Sequence, residues 1–159
     1  MMPRPVSITC SEMVSENRRD NQLSIFGLVE MIKVASRPAA GSVPPSPSIR
    51  STVVAIWMKN PEDEGVDFEE QIVFHLPGDE VEVVAAEVKF SFSEGKPLHR
   101  IVVELCGWPP LKNSGVFRIE CRVRPVGEET WTASQEYPIV VDASELESPS
   151  EVTAEAQND

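Results

Sequence analysis

Gly115-Val116-Phe117-Arg118-Ile119-Glu120-Cys121-Arg122-Val123 is the stretch that decides the fold. Phe117, Ile119, Cys121 and Val123 recur at every second position, and Arg118, Glu120 and Arg122 fill the gaps. A strand sends successive side chains to opposite faces, whereas a helix needs apolar residues every three to four positions. The segment therefore predicts a strand with one dry face and one wet face. Turn chemistry bounds it on both sides, Lys112-Asn113-Ser114-Gly115 before and Val126-Gly127-Glu128 after.

The same rhythm recurs along the chain. Val6, Ile8 and Cys10 share a phase in a strand predicted over Val6 to Val14, and a polar hairpin loop, Ser15 to Asn21, follows. Leu23 to Val34 is apolar on both phases around Ile25-Phe26-Gly27-Leu28-Val29, which predicts a central strand covered on both faces. Gly27 there marks a bulge or a close backbone approach. Arg37 to Arg50 carries Pro38, Pro44, Pro45 and Pro47 and reads as a long extended crossing. Ser51 to Lys59 puts Val54, Ile56 and Met58 on one side and Val53, Ala55 and Trp57 on the other. In the next strand Phe68, Glu70, Ile72, Phe74 and Leu76 alternate with Glu69, Gln71, Val73 and His75 before the turn Pro77-Gly78-Asp79.

Glu80 to Phe92 changes phase at Ala85-Ala86, which predicts a bend or two short strands. Leu98 to Cys106 directs Ile101, Val103 and Leu105 inward. Thr130 to Val141 contains Pro138, which lacks a ladder donor and predicts an edge or a kink. Eight such strands predict an all-β fold, a two-sheet antiparallel Greek-key (Ig/C2-like) sandwich over residues 1–141. A closed barrel is the alternative. From 142 to 159 the composition has little to bury and predicts a disordered acidic tail.

The net charge is −12, and half of it comes from the six carboxylates between Asp142 and Asp159. Nucleic acid and anionic membrane both need a basic footprint, so neither is expected as a partner. The N-terminal residues carry no apolar run of signal length, and the apolar-rich stretch Leu23 to Val34 is too short to span a bilayer. These features point to a cytoplasmic protein. Three cysteines, an odd number placed far apart, agree, and Cys10 and Cys121 on apolar phases read as small buried hydrophobes.

Taken together, Cys10-Ser11-Glu12, the strand Leu23-Ser24-Ile25-Phe26-Gly27-Leu28-Val29, Val53-Val54-Ala55-Ile56-Trp57, Val73-Phe74-His75-Leu76-Pro77-Gly78 and Gly115-Val116-Phe117-Arg118-Ile119 form a recognisable framework. It resembles an uncharacterised bacterial family of small β-sandwich proteins, a domain of unknown function. The resemblance covers about Val6 to Val141 and implies a fold and a bacterial origin. It brings no catalytic or binding residue with it.

Candidate chemistry is sparse. The acidic run Glu62, Asp63, Glu64, Asp67, Glu69 and Glu70 could offer oxygens to Ca²⁺, with Asp79 or Glu80 from a second loop. It lacks the alternating spacing of a contiguous calcium loop and reads first as a solvated loop. His75 and His99 have no Cys or His at ligand spacing, which argues against a zinc site. No Gly-x-Ser-x-Gly elbow is present, and Glu69 and Glu70 face opposite ways, too divergent to clasp one glycosidic bond. No catalytic residue, cofactor or metal ligand is therefore assigned.

Arg118, Arg122 and Arg124 share the outward phase of one strand and are read first as partners of acidic neighbours, then as contacts for another protein. Trp57, Trp108 and Trp131 are read first as partly buried against the sandwich ends, then as the other candidate partner contacts. The sequence thus favours a non-enzymatic module that binds another protein or itself. A small-ligand or cation-binding sandwich, using the loops near Glu62–Asp67 and Asp79, is the alternative.

Overall fold

The computed structural model describes residues 2–17, 22–34 and 50–144. Most of the proline-rich crossing and the tail beyond Ser144 lie outside the described residues. Nine strands form, β1 (Arg4–Asn17), β2 (Gln22–Leu28), β3 (Met31–Lys33), β4 (Ser51–Met58), β5 (Asp67–His75), β6 (Glu82–Ser91), β7 (Leu98–Leu105), β8 (Gly115–Pro125) and β9 (Ala133–Asp142). They make two sheets, one in the order β2-β1-β4-β7 and the other β3-β9-β8-β5-β6. The chain changes sheet after β2, β3, β4, β6 and β7, and keeps β1–β2, β5–β6 and β8–β9 as neighbours in one sheet.

The core lies between the sheets and follows the two-residue rhythm. Phe117, Ile119, Cys121 and Val123 of β8 are all 0% exposed. Val53, Ala55 and Trp57 of β4 face them from the other sheet, with Phe68, Ile72 and Phe74 of β5 alongside. Apolar burial on this scale is the main favourable term in the fold. Trp108 and Leu111, in the β7–β8 crossing, are also buried, and Trp108 packs against Phe74 and Phe117 at ring distances of 6.2 and 5.2 Å.

Leu23 to Val34 corrects the sequence reading. It is not one central strand covered on both faces. β2 is an edge strand whose Ile25, Phe26 and Leu28 are 38, 49 and 52% exposed. The chain then leaves the sheet, and β3 joins the opposite sheet, parallel to β9 through Met31↔Val140 and Lys33↔Asp142. Apolar residues on both phases here reflect a segment divided between two sheets, with Val29, Ile32 and Val34 buried at the changeover. Gly27 does sit where the ladder is interrupted. It has φ +64°, and a Cβ would lie 2.8 Å from the Glu12 carboxylate, so the backbone conformation and the close approach both favour glycine.

The phase change at Ala85-Ala86 is a β-bulge. Ile72 pairs with Ala86 and Val73 with Val84, so Ala85 is the extra residue. Pro138 lies opposite Arg118 on β9, just before the short stretch that β3 covers, where the outer side of β9 is open. Asp142, assigned by composition to the tail, belongs to β9. Its carboxyl accepts hydrogen bonds from the Ser144 amide and hydroxyl, which hold its pKa below the ordinary value.

Candidate functional site

Three adjacent strands, β6, β5 and β8, carry the polar face of the five-stranded sheet. Register sets its pattern: His75 lies opposite Arg118, Val73 opposite Glu120, Gln71 opposite Arg122 and Glu69 opposite Arg124. On the other side of β5, Glu82 faces His75, Glu87 faces Gln71 and Lys89 faces Glu69. Opposite-charge pairs across strands contribute a few tenths of a kcal/mol each, on the order of 0.2–1. Arg118 reaches Glu136 at 3.4 Å, Arg122 reaches Glu82 at 3.0 Å and Arg124 reaches Glu69 at 2.9 Å. The cationic stripe is therefore met by acids on both neighbouring strands, β9 and β5, and on β6 one strand further. Trp131 lies against the Arg122 and Arg124 guanidinium groups, 4.9 and 4.3 Å from the ring centre, and is half-buried by them.

The remaining tryptophans are elsewhere. Trp57 and Trp108 are 0 and 3% exposed and present no surface to a partner. Trp57 is held by a feature the sequence reading passed over. Glu70, 0% exposed, lies on the inward phase of β5 between the sheets. The Trp57 indole N–H donates to Glu70 Oε1 at 2.6 Å and the Cys121 thiol donates to the same oxygen at 2.9 Å. His99 Nε2 lies 3.2 Å from Oε2, and its ring stacks on Phe90 with centroids 3.7 Å apart. Burial, reinforced by the adjacent Glu70 carboxylate, pushes the Cys121 thiol well above its usual range. Cys121 is therefore a hydrogen-bond donor and not a nucleophile. Burial likewise pushes Cys10 up to about 11. Cys106 is exposed. The signal for this cluster was present in the sequence, an acid and a histidine on apolar phases, Glu70 between Phe68 and Ile72 and His99 beside Ile101.

Glu69 and Glu70 do face opposite sides of the sheet. On the outer side, the Arg124 hydrogen bond, with a smaller one from Lys89, holds the Glu69 carboxyl below its ordinary pKa. A depressed carboxylate stabilises the fold above its unfolded pKa, and that contribution disappears as pH falls through the folded value. An Arg124→Gln chain should therefore lose less stability than the parent between neutral pH and pH 3. Urea midpoints at both pH values measure the difference.

The acidic run does not gather into a cage. Asp63 turns inward, is 0% exposed, and its Oδ2 accepts the Asn60 amide at 2.8 Å to close the short 3₁₀ turn Pro61–Asp63. Glu64 pairs with Lys59 at 2.9 Å. Among the described residues, the group able to share an ion is His75, Glu82 and Glu120, whose ligand atoms all lie within 4.8 Å of one another. His75 Nε2 is 2.8 Å from Glu120. Spacing along the chain could not reveal this group, because its members come from three strands. Beside it a cavity of about 540 Å³, lined by His75, Pro77, Asp79, Ser114 and Arg118, opens at the end of the sheet.

The last feature is the edge itself. β6 is ten residues long and, among the described residues, pairs with β5 on one side only. Val83, Val84 and Val88 on it, and Val81 just before it, are 39, 51, 37 and 73% exposed. Among the described residues no helix is long and apolar enough to cross a membrane. No protein-family model, no curated protein and no solved structure matches the chain.

Proposed function

We infer that the chain is a binding module that recognises another polypeptide by adding a strand to β6. One observation carries this reading: among the described residues the longest edge strand of the two sheets is open, with three exposed valines on it and a fourth just before it. An open edge presents backbone donors and acceptors to an incoming strand, and β-branched side chains favour the extended state. Strand addition takes affinity from those backbone groups and specificity from alternate side chains. The other edges are shorter, seven residues in β2, eight in β7 and three in β3. The crossings between sheets suit a Greek-key, Ig-like sandwich, a fold that displays its edges and end loops for contact. The module is read as non-enzymatic and cytoplasmic from its residues, and as bacterial from the family resemblance.

Affinity capture with the parent chain and with Val84→Glu, which puts a charge and a poor strand former on the edge, tests the reading. A specific partner should be held by the parent and weakened by the variant. Amide exchange on the reconstituted complex should then slow across residues 82–91 and leave β2 and β7 unchanged. Protection on another edge instead would remove β6 from the account.

A second reading is favoured by the His75–Glu82–Glu120 group: the sheet end takes a divalent cation. Imidazole and carboxylate together suit zinc, and an ion there must displace Arg122 from Glu82. Calorimetric titration of a Cys106→Ser chain with Zn²⁺ should give one site, lost in His75→Gln. Absence of heat excludes the cation reading.

A further inference from the structure

Strand β6 is complementary to itself. Before the bulge, Glu82 and Val84 lie opposite His75 and Val73 on the outer face, and Val83 lies opposite Phe74 on the inner face. Beyond it, Glu87 and Lys89 lie opposite Gln71 and Glu69 on the outer face, and Ala86 and Val88 opposite Ile72 and Glu70 on the inner face. In an unbroken strand residues 82 and 89 would point to opposite faces, because an odd number of steps separates them. The extra residue Ala85 brings both to the outer face.

An antiparallel pairing of β6 with a second copy, about a two-fold axis between Ala85 and Ala86, then matches every face. Glu82 meets Lys89 of the copy, Val83 meets Val88, and Val84 meets Glu87. The axis itself carries two alanines, small enough for the bulged backbones to approach. Val83 and Val88, 39 and 37% exposed in the single chain, would cover one another. Glu82 and Lys89 have side chains 44 and 67% exposed, free enough to turn from Arg122 and Glu69 towards the copy. Neighbouring registers do worse. A shift by two residues one way sets Glu82 against Glu87, a like-charge pair, and the other way sets the inward Ala86 against the outward Glu87.

We propose that the partner of β6 is the β6 of a second copy of this chain, in this register, joining two five-stranded sheets into one. The proposal rests on the reading of β6 as a docking edge and names its occupant. A closed two-fold contact of this kind uses the same patch twice and leaves no open edge on that side.

Sedimentation of the full chain from micromolar to near-millimolar concentration tests it, with circular dichroism to confirm that each variant is folded. The parent should dimerise. Glu82→Lys and Lys89→Glu should each weaken the dimer by about tenfold or more, because each sets two like charges opposite one another. The double variant Glu82→Lys/Lys89→Glu should return close to the parent, since the swap restores both pairs in this register alone. A dimer indifferent to the single changes, or a double variant that is not rescued, overturns the proposal. A chain that stays monomeric, yet shows β6 protected when another protein binds, overturns the self-pairing and leaves the docking edge standing. A chain whose β6 is protected in neither setting overturns both.

Discussion

Replacing Glu70 by alanine should cost the fold about 3–5 kcal/mol, from the buried donors it strands and the void it leaves. Glu70 is 0% exposed and accepts from Trp57 and Cys121 while His99 stands at its second oxygen. Removing it strands the Trp57 indole N–H and the Cys121 thiol between the sheets and opens a void where the side chain was. A buried donor left without a partner keeps its full desolvation cost. For a domain of this size the melting temperature should fall by roughly 10–15 °C. Glu69→Ala is the control. Glu69 is the neighbouring residue, but it lies on the outer face, and its partners keep access to water or a second acceptor, Lys89 with its side chain 67% exposed and Arg124 through the Glu129 carbonyl. Its loss should be a small fraction of that seen at Glu70. Equal losses at the two positions would contradict the assignment of adjacent carboxylates to opposite faces.

Phe117→Ala should be nearly as damaging, at about 3–5 kcal/mol. Phe117 is 0% exposed and its ring packs 5.2 Å from both Phe74 and Trp108. Alanine there removes contacts on two sides in a region held from both by aromatic rings, so the space cannot close fully. Val116, one residue earlier, is 53% exposed. Val116→Ala should stay within about 0.5 kcal/mol of the parent. Chemical denaturation of the pair measures the two-residue rhythm directly.

Where one face is dry and the other wet, the sequence was readable. β8 alternates cleanly, β4 is apolar on both phases as a central strand should be, and the inward sets Phe117 to Val123, Val53 to Trp57 and Phe68 to Phe74 meet in the core. The bulge at Ala85 showed as a change of phase, because an extra residue inverts the alternation. Leu23 to Val34 misled because apolarity on both phases has two causes. A central strand produces it, and so does a segment that crosses from an exposed hairpin into another sheet.

The charged surface was legible only in part. Outward arginines could be read off β8, but their acidic partners depend on strand order, which no local pattern contains. The His75–Glu82–Glu120 group was invisible for the same reason. The Glu70 cluster was visible as an acid in an apolar phase and was passed over in favour of the adjacent Glu69-Glu70 pair. Trp57 and Trp108 follow the high average burial of tryptophan rather than the partner-contact reading.

Amide hydrogen exchange, strand by strand in the dilute chain, tests the central claim that β6 is an open docking edge. Its outward-pointing amides should exchange orders of magnitude faster than those of β5 and β8, which have partners on both sides. Protection of β6 equal to that of β5 in the dilute monomer would mean that the edge is already covered, and the binding role assigned to it would fall.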